Sequence, residues 1–374
     1  MYIKRKIQDQ VTKSLFKGKV IIIYGARQVG KTTLVKEIAR SLGESAYFNC
    51  DEPDIALALS HKTSSELAEF LGPKKLAIID EAQRVENIGL TLKLLVDTYP
   101  DRQIIATGSS SFDLANKISE PLTGRKRIFH LFPFSMTELA NVSSKLEENR
   151  LLERRLIYGL YPEVIFPKDN SEKTLREITG SYLYKDIFQL EEIRNRDIIL
   201  DLLRALALQI GAEVSYNELS KLLQIDKKTV ARYISLLEKA FVVFQVRPWH
   251  KNKRTEIGKL RKIYFYDNGV RNALINNLNP PNLRNDSGAL WENFMMSEII
   301  KSKSAKNEEL DIHFWRTYSK QKIDYFQEKN GQITALEFKW SINKKTRAPS
   351  IFTRLYPQAT FSIINRENYW RHIE

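Results

Sequence analysis

The sequence has little cysteine, no long apolar run and no cluster of histidines. Its single cysteine, Cys50, excludes an intrachain disulfide and fits a reducing compartment. The longest apolar runs, such as residues 20–23 and 241–244, are far too short to cross a bilayer. The five histidines lack the spacing of a zinc site. We therefore expect a protein without structural disulfides, membrane-spanning helices or a histidine-based metal centre.

The remaining composition is that of a folded, water-soluble protein. Apolar residues make up 43% and charged residues 28% of the 374 residues, near the averages for globular proteins. This length predicts two or three domains. The first nine residues are charged and lack the apolar stretch of a signal peptide. We expect a cytoplasmic protein with no membrane partner.

Positive charge is in excess and is unevenly distributed. The chain has 59 Lys and Arg against 45 Asp and Glu, a formal net charge of +14. Residues 251–374 hold 22 of the basic and 13 of the acidic side chains, and therefore nine of the fourteen net charges. A basic domain of this kind is typical of nucleic-acid binding. A Lys-rich surface that serves solubility has the same composition, so both alternatives stay open.

Three patterns follow one another along the chain. Short apolar runs alternate with amphipathic segments up to about residue 131, which predicts a parallel sheet covered by helices on both faces. The pattern is helical from about residue 141 to 240, and strands return after residue 241. We place three domains at residues 1–140, 141–250 and 251–374.

Residues 25–32 read GARQVGKT and fit the G-x-x-x-x-G-K-[ST] motif, between a predicted strand and a predicted helix. In such a loop, backbone N–H groups and the helix N-terminus face phosphate oxygens. Lys31 would reach the β- and γ-phosphates, and the Thr32 hydroxyl would ligate Mg²⁺. The predicted site for ATP and Mg²⁺ comprises Gly25, Ala26, Arg27, Gln28, Val29, Gly30, Lys31, Thr32 and Thr33.

Two adjacent acids end a second predicted strand, at residues 76–81, with the sequence LAIIDE. Asp80 would hold Mg²⁺ through water, and Glu81 would polarise the water that attacks the γ-phosphate. Two acids at the end of a strand also serve as helix caps. The loop at residues 25–32 favours the first interpretation.

Two further segments carry candidates for the same site. A third strand ends in TGSSS at residues 107–111, where Thr107 or Ser109 would sense the γ-phosphate, although Gly-Ser-Ser is also ordinary loop chemistry. Arg125, in LTGRKR at residues 122–127, would stabilise phosphoryl charge in its own chain or in a neighbouring subunit. A structural ion pair is the alternative for Arg125.

These motifs resemble those of the prokaryotic AAA-type ATPases that carry a DUF4143 C-terminal region. The resemblance is carried by GARQVGKT at residues 25–32, IDEAQ at 79–83, TGSS at 107–110, LTGR at 122–125 and LFPFSMTEL at 131–139. It implies a P-loop domain with the sheet order 5-1-4-3-2 and an ATP hydrolase. It leaves the biological role open.

Two amphipathic helices separated by a short turn are predicted within residues 217–240. Leu219, Leu222 and Leu223 share a face of the first helix, and Asp226 is a candidate N-cap of the second. On the second helix, Val230, Ile234 and Leu237 are predicted to face inward. With the strand that follows, they predict a winged helix-turn-helix at about residues 197–250, similar to the module in the resembling family. Its second helix would present Lys227, Lys228 and Arg232 to DNA. Residues 141–250 are almost neutral, so a packing module is the alternative.

The basic third of the chain contains a pattern of acids and lysine on predicted strands. Asp324 lies on one strand, and Glu337 and Lys339 share a face of the next, in an E-x-K pattern. A hairpin through residues 329–332 would bring Asp324 near Glu337, and Glu298 on a preceding helix would point to the same place. Charged residues on a solvent-facing strand are the alternative.

This pattern resembles the PD-(D/E)xK nuclease core, whose order is helix, three strands, helix and strand. The resemblance implies a second Mg²⁺ site at Asp324 and Glu337, with Lys339 and Glu298 nearby, and DNA cleavage. The basic segment 251–262 beside Trp249 suits contacts with a nucleic-acid backbone and bases, although a solvated loop has the same sequence.

We therefore predict an α/β AAA-type P-loop domain, a helical winged-helix module and a restriction-endonuclease-like α/β domain. The predicted function is Mg²⁺-dependent ATP binding and hydrolysis, coupled to DNA binding or processing by residues 251–374. The alternative is a nucleotide-switched interaction protein with an inert nuclease-like fold. The sequence leaves oligomer formation open.

Overall fold

The structure is a computed structural model that describes residues 2–109, 121–167, 169–182, 196–250, 260–317, 319, 321–342 and 347–374. Its residues fall into two units of internal contacts. The first is built mainly from Met1–Phe134, and the second mainly from Ser135–Ser181, residues 196–238 and Val242–Glu374. Within the described residues, no helix combines the length and the hydropathy needed to cross a membrane.

The first unit contains a five-stranded parallel sheet. Its strands are β1 (Val20–Tyr24), β2 (Ser45–Asn49), β3 (Leu76–Asp80), β4 (Gln103–Gly108) and β5 (Lys126–His130). Its helices are α1 (Gln8–Ser14), α2 (Lys31–Leu42), α3 (Pro53–Ala58), α4 (Ser64–Leu71) and α5 (Ile88–Thr98). The strand order is β2-β3-β4-β1-β5, which confirms the predicted order 5-1-4-3-2. Strands β1, β3 and β4 are buried along their whole length, which explains their uninterrupted apolar runs.

The second unit begins with short helices. These are α6 (Met136–Ala140), α7 (Lys145–Arg150), α8 (Leu152–Tyr158), α9 (Pro162–Ile165) and α10 (Ser171–Glu177), followed by a π-helical turn at Ile178–Tyr182. The next elements are α11 (Arg196–Leu208), β6 (Glu213–Val214), α12 (Tyr216–Leu223), α13 (Lys227–Lys239), β7 (Val243–Pro248) and β8 (Arg261–Phe265). Strand β8 pairs antiparallel with both β6 and β7.

Helices α12 and α13 bury most of the residues that the periodicity predicts. Val230, Ile234 and Leu237 are buried on α13, and Leu219 is buried on α12, whereas Leu222 is 62% exposed. The Asp226 carboxylate accepts hydrogen bonds from the N–H groups of residues 228 and 229, as an N-cap does. The apolar face of α12 is therefore narrower than we predicted.

The rest of the unit completes a seven-stranded sheet. Its elements are α14 (Asn268–Leu274), α15 (Ser287–Ala305), β9 (His313–Arg316), β10 (Lys322–Lys329), β11 (Gln332–Phe338), α16 (Ser350–Leu355), β12 (Thr360–Ile364) and α17 (Trp370–Ile373). The order helix, three strands, helix and strand is therefore present from α15 to β12. The sheet order is β12-β11-β10-β9-β7-β8-β6.

Strand β7 joins the two halves of this sheet, because it pairs antiparallel with β8 and parallel with β9. The domain boundary that we placed at residue 250 therefore crosses one continuous sheet. Pairing between strands about 65 residues apart leaves no trace in local hydrophobic periodicity, which is why the boundary looked natural in the sequence. The limits of the three domains stay predictions.

A close backbone contact joins the end of α8 to the start of α14. The Asp267 carboxylate accepts hydrogen bonds from the N–H of Leu160 at 2.7 Å and from the N–H of Val270 at 3.1 Å. It thereby caps α14 and holds the chain after α8, while burial raises its pKa above the ordinary value. Gly159 and Gly269 lie at this contact, where added Cβ atoms would overlap neighbouring atoms.

Candidate functional site

The loop at residues 25–30 curls around the side chain of Lys31. The Lys31 ammonium donates to the carbonyl oxygens of Gly25 at 2.9 Å and Ala26 at 3.0 Å, and the residue is 5% exposed. A Cβ on Gly25 would lie 2.1 Å from the carbonyl oxygen of Leu131, so only glycine fits there. Gly30 has a φ of 95°, a conformation that favours glycine. These two glycines give the loop the curvature that the motif predicts.

Asp80, at the carboxyl end of β3, is surrounded by hydroxyl groups. Its Oδ2 accepts hydrogen bonds from Thr32 Oγ1 at 2.7 Å and from the Tyr47 hydroxyl at 2.6 Å, and its Oδ1 accepts one from Thr107 Oγ1. Asp80 is only 3% exposed. A carboxylate and a threonine hydroxyl side by side are oxygen donors of the kind that Mg²⁺ prefers, so the residues fit this ion.

Thr107 also connects Asp80 with Glu81. Its Oγ1 accepts a hydrogen bond from the backbone N–H of Glu81 at 3.1 Å. The amide of Gln83 donates to the Glu81 carboxylate at 2.5 Å and to Ser109 Oγ at 3.2 Å. Both predicted hydroxyl candidates therefore lie beside the two acids, Thr107 in direct contact and Ser109 through Gln83.

A second cluster of charged side chains lies in the other unit, on β10 and β11. These strands form the predicted hairpin, with Asn330 and Gly331 at positive φ in the turn, as a two-residue hairpin requires. Its register pairs Tyr325 with Leu336, which places the buried Asp324 opposite the buried Glu337.

Hydrogen bonds fix both carboxylates of this hairpin. The Asp324 Oδ2 accepts from the backbone N–H of Phe338 at 3.2 Å, and the Lys339 ammonium donates to Glu337 Oε1 at 2.5 Å. Burial, and then the charge of Asp324, raise the pKa of Glu337 above the ordinary value. The structure thus brings together the three predicted residues Asp324, Glu337 and Lys339.

Two residues that we did not predict complete this cluster, Lys262 on β8 and Glu292 on α15. The Lys262 ammonium lies 2.7 Å from Glu292 Oε1 and 3.1 Å from Asp324 Oδ1. Burial alone would lower the pKa of Lys262, but the two carboxylates outweigh burial and raise that pKa. The cluster borders a cavity of about 550 Å³ whose lining includes Glu292, Asp324, Lys322, Lys339 and Trp340. We call Lys262, Glu292, Asp324, Glu337 and Lys339 the carboxylate–lysine cluster.

Three family models match consecutive parts of the chain. Residues 17–140 match an AAA domain, residues 149–281 match a domain of unknown function, DUF8612, and residues 287–370 match another, DUF4143. The chain therefore combines an AAA-type P-loop domain with a DUF4143 region. The AAA domain contains Lys31, Asp80 and Glu81, and the DUF4143 region contains Glu292, Asp324 and Glu337. Lys262 comes from the part that matches DUF8612.

Relatives extend over most of the chain. An uncharacterised protein of Mycobacterium tuberculosis is 28% identical over 353 residues, covering 93% of this chain and 75% of that protein. Another from Methanocaldococcus jannaschii is 28% identical, covering 73% of this chain and 65% of that protein. Among solved structures, the Walker-type ATPase PABY2304 of Pyrococcus abyssi is 17% identical with a TM-score of 0.49, covering 73% of this chain and 96% of that chain.

Within the AAA domain, the structure corrects the prediction for Arg125. Arg125 lies just before β5, which is parallel to β1 with Val20 opposite Lys126, whereas the P-loop follows the other end of β1. A five-residue strand spans about 16 Å. Arg125 therefore cannot reach phosphate in its own chain, and its Nε pairs with Asp97 Oδ1 at 2.6 Å instead. A contact across a subunit boundary stays a prediction.

The prediction for Glu298 in the DUF4143 region is also wrong. Glu298 accepts a hydrogen bond from the backbone N–H of Met136 at 2.8 Å, at the start of α6, and pairs with Lys301 at 2.9 Å. Six residues on a helix correspond to a rotation of about 240°, so Glu298 and Glu292 lie on different faces of α15. The carboxylate from this helix that reaches the cluster is Glu292.

Two residues of the first unit that no sequence motif indicated also lie near the P-loop. The Arg5 guanidinium is buried and donates to the carbonyl oxygens of Val29 at 2.7 Å and Phe132 at 2.6 Å. Tyr47 donates to Asp80, and burial raises its pKa, so it remains a hydroxyl donor. Neither residue belongs to a motif, and only the alternation of strands hinted that Tyr47 lies beside β3.

The other predicted residues keep the positions that their motifs imply. Cys50 is buried, and burial followed by the charge of Asp80 raises its pKa to about 12, so the thiol stays neutral. Ala26 and Val29 are buried in the P-loop, whereas Thr33 is exposed on α2. The exposed basic residues on α13 are Lys227, Lys228 and Arg232. Most of the basic segment 251–262 lies outside the described residues.

Proposed function

We propose that the AAA domain binds ATP together with Mg²⁺ and hydrolyses the γ-phosphate. The observation that supports this proposal is the hydrogen-bonded series from Thr32 through Asp80 and Thr107 to Glu81, next to a loop curled around Lys31. Successive hydrogen bonds thus connect the residues that would supply a hydroxyl for the metal, a carboxylate for the metal and a candidate base.

In this proposal each side chain has one role. The P-loop N–H groups and Lys31 bind the phosphates, and Thr32 and Asp80 hold Mg²⁺, which neutralises phosphate charge when bound. Glu81 orients the attacking water and accepts its proton, and Gln83 keeps the Glu81 carboxylate in place through their hydrogen bond. Tyr47 and Thr107 fix the orientation of Asp80.

Replacing Lys31 with alanine tests whether this loop binds ATP. The change removes the buried ammonium, so we expect ATP affinity to fall about 10- to 100-fold, which corresponds to the ~1.5–3 kcal/mol of hydrogen bonds to a charged group. Calorimetric titration with Mg-ATP measures the affinity, and a turnover assay with and without Mg²⁺ measures hydrolysis. Lys17→Ala, at an exposed position before β1, is the control. Equal affinity in Lys31→Ala and the wild type would exclude this site.

We further propose that the second unit binds the DNA backbone and that DNA alters ATP turnover. The element order from α11 to β8, with β8 between β6 and β7, supports the predicted winged helix-turn-helix. Its second long helix, α13, presents Lys227, Lys228 and Arg232 to solvent. The net charge of residues 251–374 adds a long-range attraction for phosphate.

Salt dependence tests the DNA proposal. Replacing Lys227, Lys228 and Arg232 with alanine should weaken duplex binding and reduce the slope of log K against log salt by about 2–3, since each phosphate contact adds about 0.9. Lys13, Lys17 and Arg40, replaced together, form a control of equal charge on the first unit. An unchanged slope in the α13 variant would place DNA contacts elsewhere.

The alternative function is a nucleotide-switched interaction protein, and the carboxylate–lysine cluster favours an inert nuclease-like fold. Lys262 pairs with Glu292 and with Asp324, and Asp324 is one of the two carboxylates that we predicted to hold metal. ATP turnover that is indifferent to DNA but responds to a protein partner would favour this alternative.

A further inference from the structure

Together with the neighbouring Lys322, the carboxylate–lysine cluster has as many ammonium groups as carboxylates. Its three carboxylates, Glu292, Asp324 and Glu337, are all at most 7% exposed. Lys262 lies between the first two, Lys339 contacts the third, and the Lys322 ammonium lies 4.0 Å from Asp324 Oδ1. With all six groups ionised the cluster is neutral, so a divalent cation would add two uncompensated charges to a buried site.

Both oxygens of Asp324 and one oxygen of Glu292 already have donors, whereas Glu337 Oε2 is buried without a hydrogen-bond partner. Asp324 Oδ1 faces Lys262, and its Oδ2 accepts the N–H of Phe338. Glu292 Oε1 accepts from Lys262 and from the Tyr264 hydroxyl at 2.6 Å. Among the described residues, no three His, Cys, Asp or Glu side chains are placed to hold a metal ion.

Lys262 cannot easily leave this position. Its backbone is paired on both sides, with Glu213 of β6 opposite on one side and Val246 of β7 on the other. The side chain is 3% exposed, and its ammonium lies 5.5 Å from the centre of the Phe314 ring. An ammonium held in this way occupies the volume between two carboxylates where a hydrated cation would otherwise bind.

We infer that the ammonium of Lys262 is the resident cation of this cluster, in place of the divalent metal that the nuclease-like pattern implies. The wild-type cluster therefore does not bind a divalent or trivalent metal ion. Removing the ammonium leaves Glu292 and Asp324 at the cavity without their shared cation, so that a metal ion can take its place. The Asp324 and Glu337 pair that we predicted as a Mg²⁺ site does not fit that ion while Lys262 is present.

Terbium luminescence tests this inference in the full-length chain. All five tryptophans lie in the second unit, and Trp340 lines the cavity of the cluster. Tryptophan-sensitised emission from Tb³⁺ therefore reports an ion bound close to a tryptophan, as an ion in this cavity would be. We expect no saturable emission from the wild type or from Lys262→Arg, which retains the positive charge. Lys262→Met should gain saturable emission at one ion per chain.

A second measurement and a second variant keep the test decisive if Lys262→Met is unstable. Lys262→Met should be stabilised by added Mg²⁺ in a urea titration followed by tryptophan fluorescence, whereas the wild type should not respond. If Lys262→Met does not fold, the double variant Lys262→Met/Glu292→Gln removes one carboxylate as well and leaves Asp324 and Glu337 for the ion.

The contrary outcomes are equally distinct. Saturable Tb³⁺ emission from the wild type that is lost in Asp324→Asn would overturn the inference. Folded Lys262 variants without the ammonium that gain no metal binding would also overturn it. ATP turnover at the P-loop enters neither readout, so a failed ATPase proposal and a metal-binding wild-type cluster can be told apart.

Discussion

Replacing Glu81 with glutamine will lower the turnover number for ATP by about 10²–10⁴-fold, the range that general-base catalysis contributes, and will leave ATP affinity nearly unchanged. Glutamine has the same shape and keeps a carbonyl oxygen for the Gln83 amide, but it cannot accept a proton from water. The adjacent Asp80 and Thr32 retain their hydrogen bond, so the metal-binding pair is preserved.

Turnover at saturating ATP and calorimetric affinity together check this prediction. Glu86→Gln is the matched control, because Glu86 is exposed five residues further on and pairs with His61. We expect its turnover to equal that of the wild type. A parallel loss of affinity and turnover in Glu81→Gln would indicate that Glu81 binds nucleotide and is not a base. Wild-type turnover in Glu81→Gln would remove this residue from the mechanism.

Replacing Gly269 with alanine will destabilise the second unit by about 3 kcal/mol, at the upper end of the cost of overpacking a buried site. An added Cβ would lie 2.0 Å from the carbonyl oxygen of Tyr158 and 2.4 Å from its carbonyl carbon. These are backbone atoms at the end of α8, and they cannot move aside as a side chain can. Alanine must therefore separate α14 from α8 and weaken the hydrogen bonds of Asp267.

Gly288→Ala is the control for this prediction. Gly288 lies in α15 with no atom within 4 Å of an added Cβ, so alanine should be neutral or stabilising by up to about 1 kcal/mol. Urea unfolding followed by tryptophan emission reports the second unit, where all five tryptophans lie. Equal urea midpoints for Gly269→Ala and the wild type would show that α8 and α14 accommodate the added Cβ without loss of stability.

The nucleotide site was the most predictable part of the molecule. The P-loop motif specifies its conformation over eight consecutive residues, because Gly25 and Gly30 are needed where a side chain would collide or φ is positive. The acids of β3 and the hydroxyls of β4 follow buried strands, and the carboxyl ends of neighbouring parallel strands meet at one edge. Local pattern and sheet geometry therefore place Lys31, Asp80 and Thr107 together.

Residues without a motif were not predictable in this way. Arg5 contacts residues that are 24 and 127 positions away, and nothing in its own neighbourhood marks it. The error over Glu298 arose because two acids on α15 are separated by six residues, and the sequence does not show which helix face meets the sheet. Arg125 belongs to one of the motifs shared with the resembling ATPases, so it was a candidate for contact with phosphate. It lies at the amino end of β5, whereas the P-loop follows the carboxyl end of the neighbouring β1.

By itself the sequence determined the chemistry of the P-loop and the hairpin that brings Asp324 opposite Glu337, because both depend on short-range patterns and on the alternation of strands. Only the tertiary structure decided what surrounds those acids. Lys262 reaches Asp324 from a strand 62 residues earlier, and its buried ammonium between two carboxylates changes a candidate metal site into one that already holds a cation. Electrostatic balance in a buried site depends on every charge within a few ångströms, and that set is chosen by folding and not by proximity along the chain.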